Sequence, residues 1–199
     1  MAQARANGEW RAVRLTEARQ VAALMGVDID DRPPADVAVQ PHYAALRAGN
    51  RRSAALDYLG HALPRLEAIA WAARIIADTA AADPPPLPTP PRVRHALDVA
   101  LRWLEAPTEA HRRAAGDAAE AISQPVAERL LASAVFFSGG SIAAAYASPI
   151  NPPDHVAARY AVGAINAATH RATNPVAALE TALALGERIA ERGMAALDR

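Results

Sequence analysis

Along much of the chain, apolar positions recur every three or four residues, the period of a helix with one face against a core. Val126, Leu130, Ala134 and Phe137 keep this spacing, as do Val156, Tyr160, Ala164 and Ala167, and Val176, Leu179, Leu183 and Ala190. No stretch alternates in the manner of a strand rich in Val, Ile and Thr. Proline supplies the punctuation: Pro91, Pro107, Pro125, Pro153 and Pro175 each stand near the start of a helical run, where a missing N–H leaves no bond unmade. Spacing and breakers together predict helices over about 16–26, 41–49, 50–62, 64–82, 91–105, 107–122, 125–137, 153–171 and 174–192, with 28–40 irregular.

Six of the 16 prolines fall between Asp83 and Pro91, so no helix crosses that segment. It reads as a semi-rigid connector, with a ligand for a proline-reading domain as the alternative. The predicted fold is an all-α bundle of about eight to nine short Ala-rich helices in two packed lobes joined by this spacer. The divisions are a flexible N-terminal tail (1–15), an N-terminal helical lobe (16–82), a Pro-rich linker (83–91) and a C-terminal helical lobe (92–199). Helix 64–82 carries two stripes: Leu66, Ile69, Ala73 and Ile76 on one side, and Glu67, Trp71, Arg74 and Asp78 on another. A Trp among charges either covers a surface against the other lobe, the preferred reading, or contacts a partner.

Composition narrows the chemistry. Ala supplies 53 of the 199 residues, so close helix packing with few large side chains is expected. All 21 basic residues are Arg, against 21 acids, and there is no Lys and no Cys. That excludes disulfide scaffolds, thiolate metal sites, Schiff bases and a P-loop lysine. It also fits the codon usage of a GC-rich bacterial genome. Zero net charge, evenly spread, gives no long-range pull toward nucleic acid. The N-terminus has no apolar stretch of a secretory signal, so a cytoplasmic setting is expected. The run Leu130–Pro153 lacks charge over 24 residues, but Gly139, Gly140, Pro149, Pro152 and Pro153 break it, and no membrane span is expected.

Few residues suggest reactions. Asp28, Asp30 and Asp31 have the spacing of the acid motif of class II terpene cyclases, but the chain is too short for such an enzyme, and the cluster reads as a solvated loop. The six His lie at 42, 61, 95, 111, 155 and 170, with no two at metal-ligand spacing. No catalytic residue, metal site or cofactor is assigned. The most informative segment is Phe136-Phe137-Ser138-Gly139-Gly140-Ser141. Gly-Gly there reads first as a helix C-cap and tight turn. The functional alternative is a nest of backbone amides holding an anion, helped by the Ser138 and Ser141 hydroxyls.

Around this segment the chain resembles an uncharacterised bacterial domain-of-unknown-function family with an F-(W/F)-S-G-G-S motif. The matching residues are Ala62-Leu63-Pro64-Arg65, Glu67-Ala68-Ile69-Ala70-Trp71, Trp103-Leu104-Glu105-Ala106-Pro107-Thr108 with Arg112 or Arg113 and Ala114, and Phe136 to Ser141. The resemblance covers roughly residues 50–195. It departs where Ala143-Ala144-Ala145 replaces an expected Ala-Pro-Pro. It implies fold and extent, and brings no activity.

The resulting expectation is a non-catalytic interaction or accessory module presenting the Phe136–Ser141 turn and the Trp71 face to another protein. The candidate binding residues are Trp71, Arg74, Phe137, Ser138, Gly139, Gly140, Ser141 and His155. A second reading places a small ligand, bound or transformed, in an apolar cavity near the Ser-Gly-Gly-Ser turn, with Ser138, Ser141, His155 and Tyr160 at its mouth. A third is self-association into a homo-oligomer through Ala-rich faces.

Overall fold

The computed structural model describes residues 8–81, 89–144 and 146–198. Among these the chain forms nine α-helices and no sheet: α1 (Ala18–Leu24), α2 (Val39–Ala48), α3 (Arg52–Ala62), α4 (Arg65–Ala80), α5 (Pro91–Glu105), α6 (Glu109–Glu120), α7 (Ala127–Phe136), α8 (Val156–His170) and α9 (Pro175–Arg192). Short 3-10 turns occupy Ile29–Asp31 and Gly193–Ala196. The fold is all-α, as the periodicity predicts. Among the described residues no helix is long and apolar enough to cross a membrane, and the uncharged run is split between α7 and an irregular segment.

Local chemistry sets the helix ends. Pro91 opens α5 and Pro175 opens α9, where the Asn174 side chain accepts the Ala177 N–H at 3.1 Å. Thr108 caps α6 by accepting the His111 N–H at 3.2 Å. Gly26, at φ +80°, stops α1 in a conformation that other residues rarely adopt.

Helix α4 is the hub. It packs on α8, α7, α9 and α5, and residues on nearly all its sides are buried, among them Ala68, Ile69, Ala70, Trp71, Ala72, Ala73, Ile75 and Ile76. Alanine makes this possible, because neighbours can approach from several directions without displacing large side chains. Trp71 is 0% exposed, and its indole N–H donates to the Ala182 carbonyl of α9 at 2.9 Å. Gly186 of α9 lies against the ring: a Cβ there would sit 2.6 Å from Trp71 Cζ2 and 2.7 Å from Leu59 Cδ2. The expectation that Trp71 faces a partner protein is therefore corrected. The ring is core, because α9 offers a glycine and a free carbonyl at the point where it inserts. The contact does join the segments before and after the spacer, and one continuous core runs through both. Residues 82–88, most of the expected spacer, lie outside the described residues.

Two further expectations change. The tail predicted over 1–15 is, from Gly8 onward, a packed strap. Trp10 is buried against Tyr43, with ring centroids 5.0 Å apart, and Ala12 N–H donates to the Ala190 carbonyl at 2.9 Å. Its indole finds a ready-made slot beside α2, which a pattern-based reading does not register; residues 1–7 lie outside the described residues. The core face of α8 is also rotated from the expected stripe. Ala157, Ala161, Ala164, Ile165 and Ala168 are buried, whereas Val156, Tyr160 and Ala167 are only partly covered. In α9, Leu183 and Ala190 are buried as expected, but Val176 is 60% exposed in the first turn.

A polar seam fastens α2 and α3 to α9. Tyr43 donates to Glu187 at 2.8 Å, Arg47 reaches Glu187 at 3.1 Å and Glu180 at 2.8 Å, and Arg52 also donates to Glu180. Burial and the adjacent Glu187 carboxylate push the Tyr43 hydroxyl well above its ordinary range.

The close approach at Trp71 gives a paired expectation. Gly186→Ala should destabilise the fold by about 1–3 kcal/mol, since its Cβ meets the ring. Gly163→Ala in α8, whose Cβ would meet only Leu130 Cδ1 at 3.6 Å, should be neutral or stabilise by up to about 1 kcal/mol. Thermal melts of both variants read the difference in sign.

Candidate functional site

The segment after α7 is held by arginines from earlier in the chain. Helix α7 ends at Phe136; the N–H groups of Phe137 and Ser138 take up the Ser133 and Val135 carbonyls at 2.9 and 3.1 Å, and the carbonyls of Phe136, Ser138 and Ser141 are left to side chains. Arg112 of α6, 4% exposed, donates to the Phe136 carbonyl and, at 2.7 Å, to the Ser141 carbonyl. It also grips Glu109 through two bonds of 2.7 and 2.8 Å, and its guanidinium lies 5.0 Å from the centre of the Phe136 ring. Arg113 donates to the carbonyls of Ser141 and Ala143, both at 3.1 Å. Arg65, at the start of α4, donates to the Ser138 carbonyl at 2.9 Å and pairs with Asp154. Gly140 adopts φ +64°, and a Cβ there would crowd Glu109 and Arg112 at 3.1–3.3 Å.

The Ser-Gly-Gly-Ser turn is thus a helix C-cap closed by guanidinium groups. The carbonyl oxygens of the turn are taken by cations. The cations lie upstream in sequence, at Arg65, Arg112 and Arg113. Ser141 is structural: its Oγ accepts the N–H groups of Ala143 at 3.1 Å and Ile150 at 3.0 Å. With the Ile142 N–H donating to the Ile150 carbonyl at 2.8 Å, this pins the base of the loop 142–150. Phe137 stacks on Tyr160 at 5.2 Å, with ring planes 1° apart. Arg74 turns to Asp78 on its own helix, at 2.9 Å, and to the Leu197 carbonyl, so it stands apart from the turn. Trp71 is likewise enclosed elsewhere. Asp28, Asp30 and Asp31 sit on a 3-10 turn with no buried residue.

Next to the turn lies a hollow of about 400 Å³. Its walls include His61, Leu63, Arg65, Asp154, His155 and Arg14, with Leu15, Leu24 and Ala158 adding apolar surface. Arg65 connects the two places, lining the hollow while donating to Ser138. His155 therefore belongs to this hollow; Ser138 touches it only through Arg65, and Ser141 and Tyr160 are not among its lining residues. His61 is missed by a sequence reading, because it stands 94 positions from His155 and no local motif joins them. Its side chain is 1% exposed. Nδ1 lies 2.9 Å from the Asp57 carbonyl and 3.2 Å from the Asp57 carboxylate, while Nε2 has no hydrogen-bond partner.

The arrangement coincides with the reach of a family match. The profile of a family of unknown function, DUF6931, matches residues 42–190, three quarters of the chain. The chain belongs to this family. The match takes in α3 to α8 and most of α9, and so includes the arginine-capped turn and most of the hollow. No curated protein and no solved structure matches the chain.

Two expectations follow for this DUF6931 member. Arg112→Ala removes four hydrogen bonds from a nearly buried site and should cost about 3 kcal/mol, a fall of roughly 6–12 °C in Tm. Arg112→Lys should recover only part, since an ammonium cannot fork between two carbonyls and a carboxylate; circular-dichroism melts decide this. Acidity should act on the same place. Hydrogen bonds from Arg112, and then from Arg113, hold the Glu109 carboxyl down to about 2 from its usual 4.5, against the opposing pull of burial. A carboxyl so depressed contributes stability that is complete above pH 4.5 and lost as pH falls toward 2. Protection factors against amide exchange at Ile142, Ala143 and Ile150 should therefore fall across that interval, and Glu109→Gln should flatten the response.

Proposed function

We propose that this protein is a non-catalytic interaction module that meets another protein through the loop following the Ser-Gly-Gly-Ser turn. The observation that carries the reading is exposure: Tyr146 is 95% exposed and Ile150 57% exposed on one short loop. Large apolar side chains held in water together mark a contact site more often than an idle surface. The loop carries no charge from Leu130 to Pro153, so nothing there opposes desolvation. Its base is already fixed by Ser141, Arg112 and Arg113, which lowers the ordering entropy that binding must overcome. The absence of Cys suits a reducing compartment, and we keep the cytoplasm as its setting. Of the residues singled out by sequence, Phe137, Ser138, Gly139, Gly140 and Ser141 act in this reading as the scaffold of the loop.

A photocrosslinking residue at position 146 tests it in cells. The expected result is a discrete adduct with one other protein, lost when Ile150→Asp is added. The same residue at Asp117, on the exposed side of α6, should give none. Equal labelling from both positions would overturn the proposal.

The second reading, a small ligand near the turn, is favoured by one specific observation: the hollow lined by His61, Arg65 and His155.

A further inference from the structure

Two helices begin at that hollow, and neither has a side-chain cap. Helix α4 starts at Pro64–Arg65 and α8 at His155–Val156, with no side-chain hydrogen bond to either first turn. The N–H groups of Arg65, Leu66 and Glu67 in α4, and of Ala157 and Ala158 in α8, have no protein partner among the described residues. Both helices are long, at 16 and 15 residues, so each brings the positive end of a sustained dipole to the same place. Exposed N–H groups and dipoles of this kind favour a negative group. The acid of the first turn of α4, Glu67, lines the adjoining hollow with Arg11 and not this one.

Side chains add to the same bias. Of the two arginines in the wall, Arg65 is committed to Asp154 and to the Ser138 carbonyl. Arg14 has no ion pair or hydrogen bond among the described residues, so it is the cation left for an occupant. His61 supplies the independent sign. It is a polar ring in the wall, almost wholly buried, whose Nε2 is unmatched by any protein group. Leaving such an atom unpaired costs about 1–3 kcal/mol, a penalty that a polar group of an occupant removes where it comes within reach of Nε2. Apart from His155 at the start of α8, the remaining wall is hydrocarbon, with Leu15, Leu24, Leu63 and Ala158 supplying most of it.

We infer that the hollow binds a compact organic acid, resting on the second reading above. Its carboxylate lies toward the starts of α4 and α8, within reach of Arg14, and its hydrocarbon body lies on the leucines. A volume of about 400 Å³ falls at the lower end of small-molecule sites, about 300–1,000 Å³, so the ligand is small. The apolar floor distinguishes this acid from a bare inorganic anion, which would leave the leucines unused.

Titration of ¹⁵N-labelled full-length protein with sodium hexanoate, hexanol and inorganic phosphate tests the inference. Hexanoate should produce saturable shifts of the Arg65, Leu66, Ala157 and Ala158 amides. Hexanol and phosphate should each bind about tenfold more weakly or worse, since each lacks one half of the recognition. Arg14→Ala, a surface change that leaves the core intact, should weaken hexanoate about tenfold, whereas Arg188→Ala on the exposed side of α9 should not. Equal binding of hexanol and hexanoate would leave a ligand site standing but overturn the acid. Equal binding of phosphate and hexanoate would overturn the hydrocarbon part. No shift with any of the three would overturn both this inference and the second reading. Unchanged hexanoate affinity in Arg14→Ala would remove the assigned cation and with it the proposed mode.

Discussion

The indole of Trp71 stands where α3, α4 and α9 come closest, and the rest of the packing is arranged around that insertion. A chain so rich in alanine has few side chains able to fill space, so each large ring has to be met by something small. Gly186 and the Ala182 carbonyl meet this one, the first by lacking a Cβ and the second by accepting the indole proton. With α9 seated, Glu180 and Glu187 come to face Arg47, Arg52 and Tyr43. With α4 enclosed, its first turn is carried to the first turn of α8, which creates the hollow. The same rule operates at Gly116, where a Cβ would lie 2.6 Å from the Phe136 ring. Glycine there lets α7 end against α6 with its terminal carbonyls within reach of Arg112.

That arrangement explains why three stretches far apart in sequence matter together. Arg65 and Arg112 come from different helices, and both are bonded to the turn at Phe136–Ser141. Guanidinium suits the task in a way that ammonium does not: it is planar, donates in two directions at once, and still leaves a face for Phe136. The all-arginine composition, explicable by codon usage alone, is put to structural use at this corner. The loop beyond it can then stay exposed and apolar without relying on its own contacts for shape.

Much of the helical order was legible from proline and glycine. The limits of α5 were expected over 91–105 and those of α9 over 174–192, within a residue of where they lie, because Pro91, Pro175 and Asn174 act locally on the backbone. Which face of a helix turns inward was less legible. In α8, alanines surround the axis, and an alanine fits equally well inside and out, so the rotation is set by Val162 packing at Gly60 and by Tyr160 finding Phe137. Trp71 illustrates the same gap: a contact with the segment after the spacer was expected of it, but the small residues that enclose it, at Ala182 and Gly186, stand more than 100 positions later. The cations of the turn and the meeting of His61 and His155 in one hollow were hidden for a related reason. They are products of tertiary approach, and no spacing within one helix encodes them.

The strap at Gly8–Ala12 has a topological consequence. It lies beside the end of α9, with Gly8 N–H on Glu191 and Ala12 N–H on the Ala190 carbonyl. The strap and the end of α9 are therefore neighbours, and the path of the backbone between them is nearly a closed ring. The α3–α4 corner and the α7–α8 loop would keep their relation if the ring were cut elsewhere and sealed at the strap. A fold of this kind can also be set into a surface loop of a larger protein, entering and leaving at almost the same point.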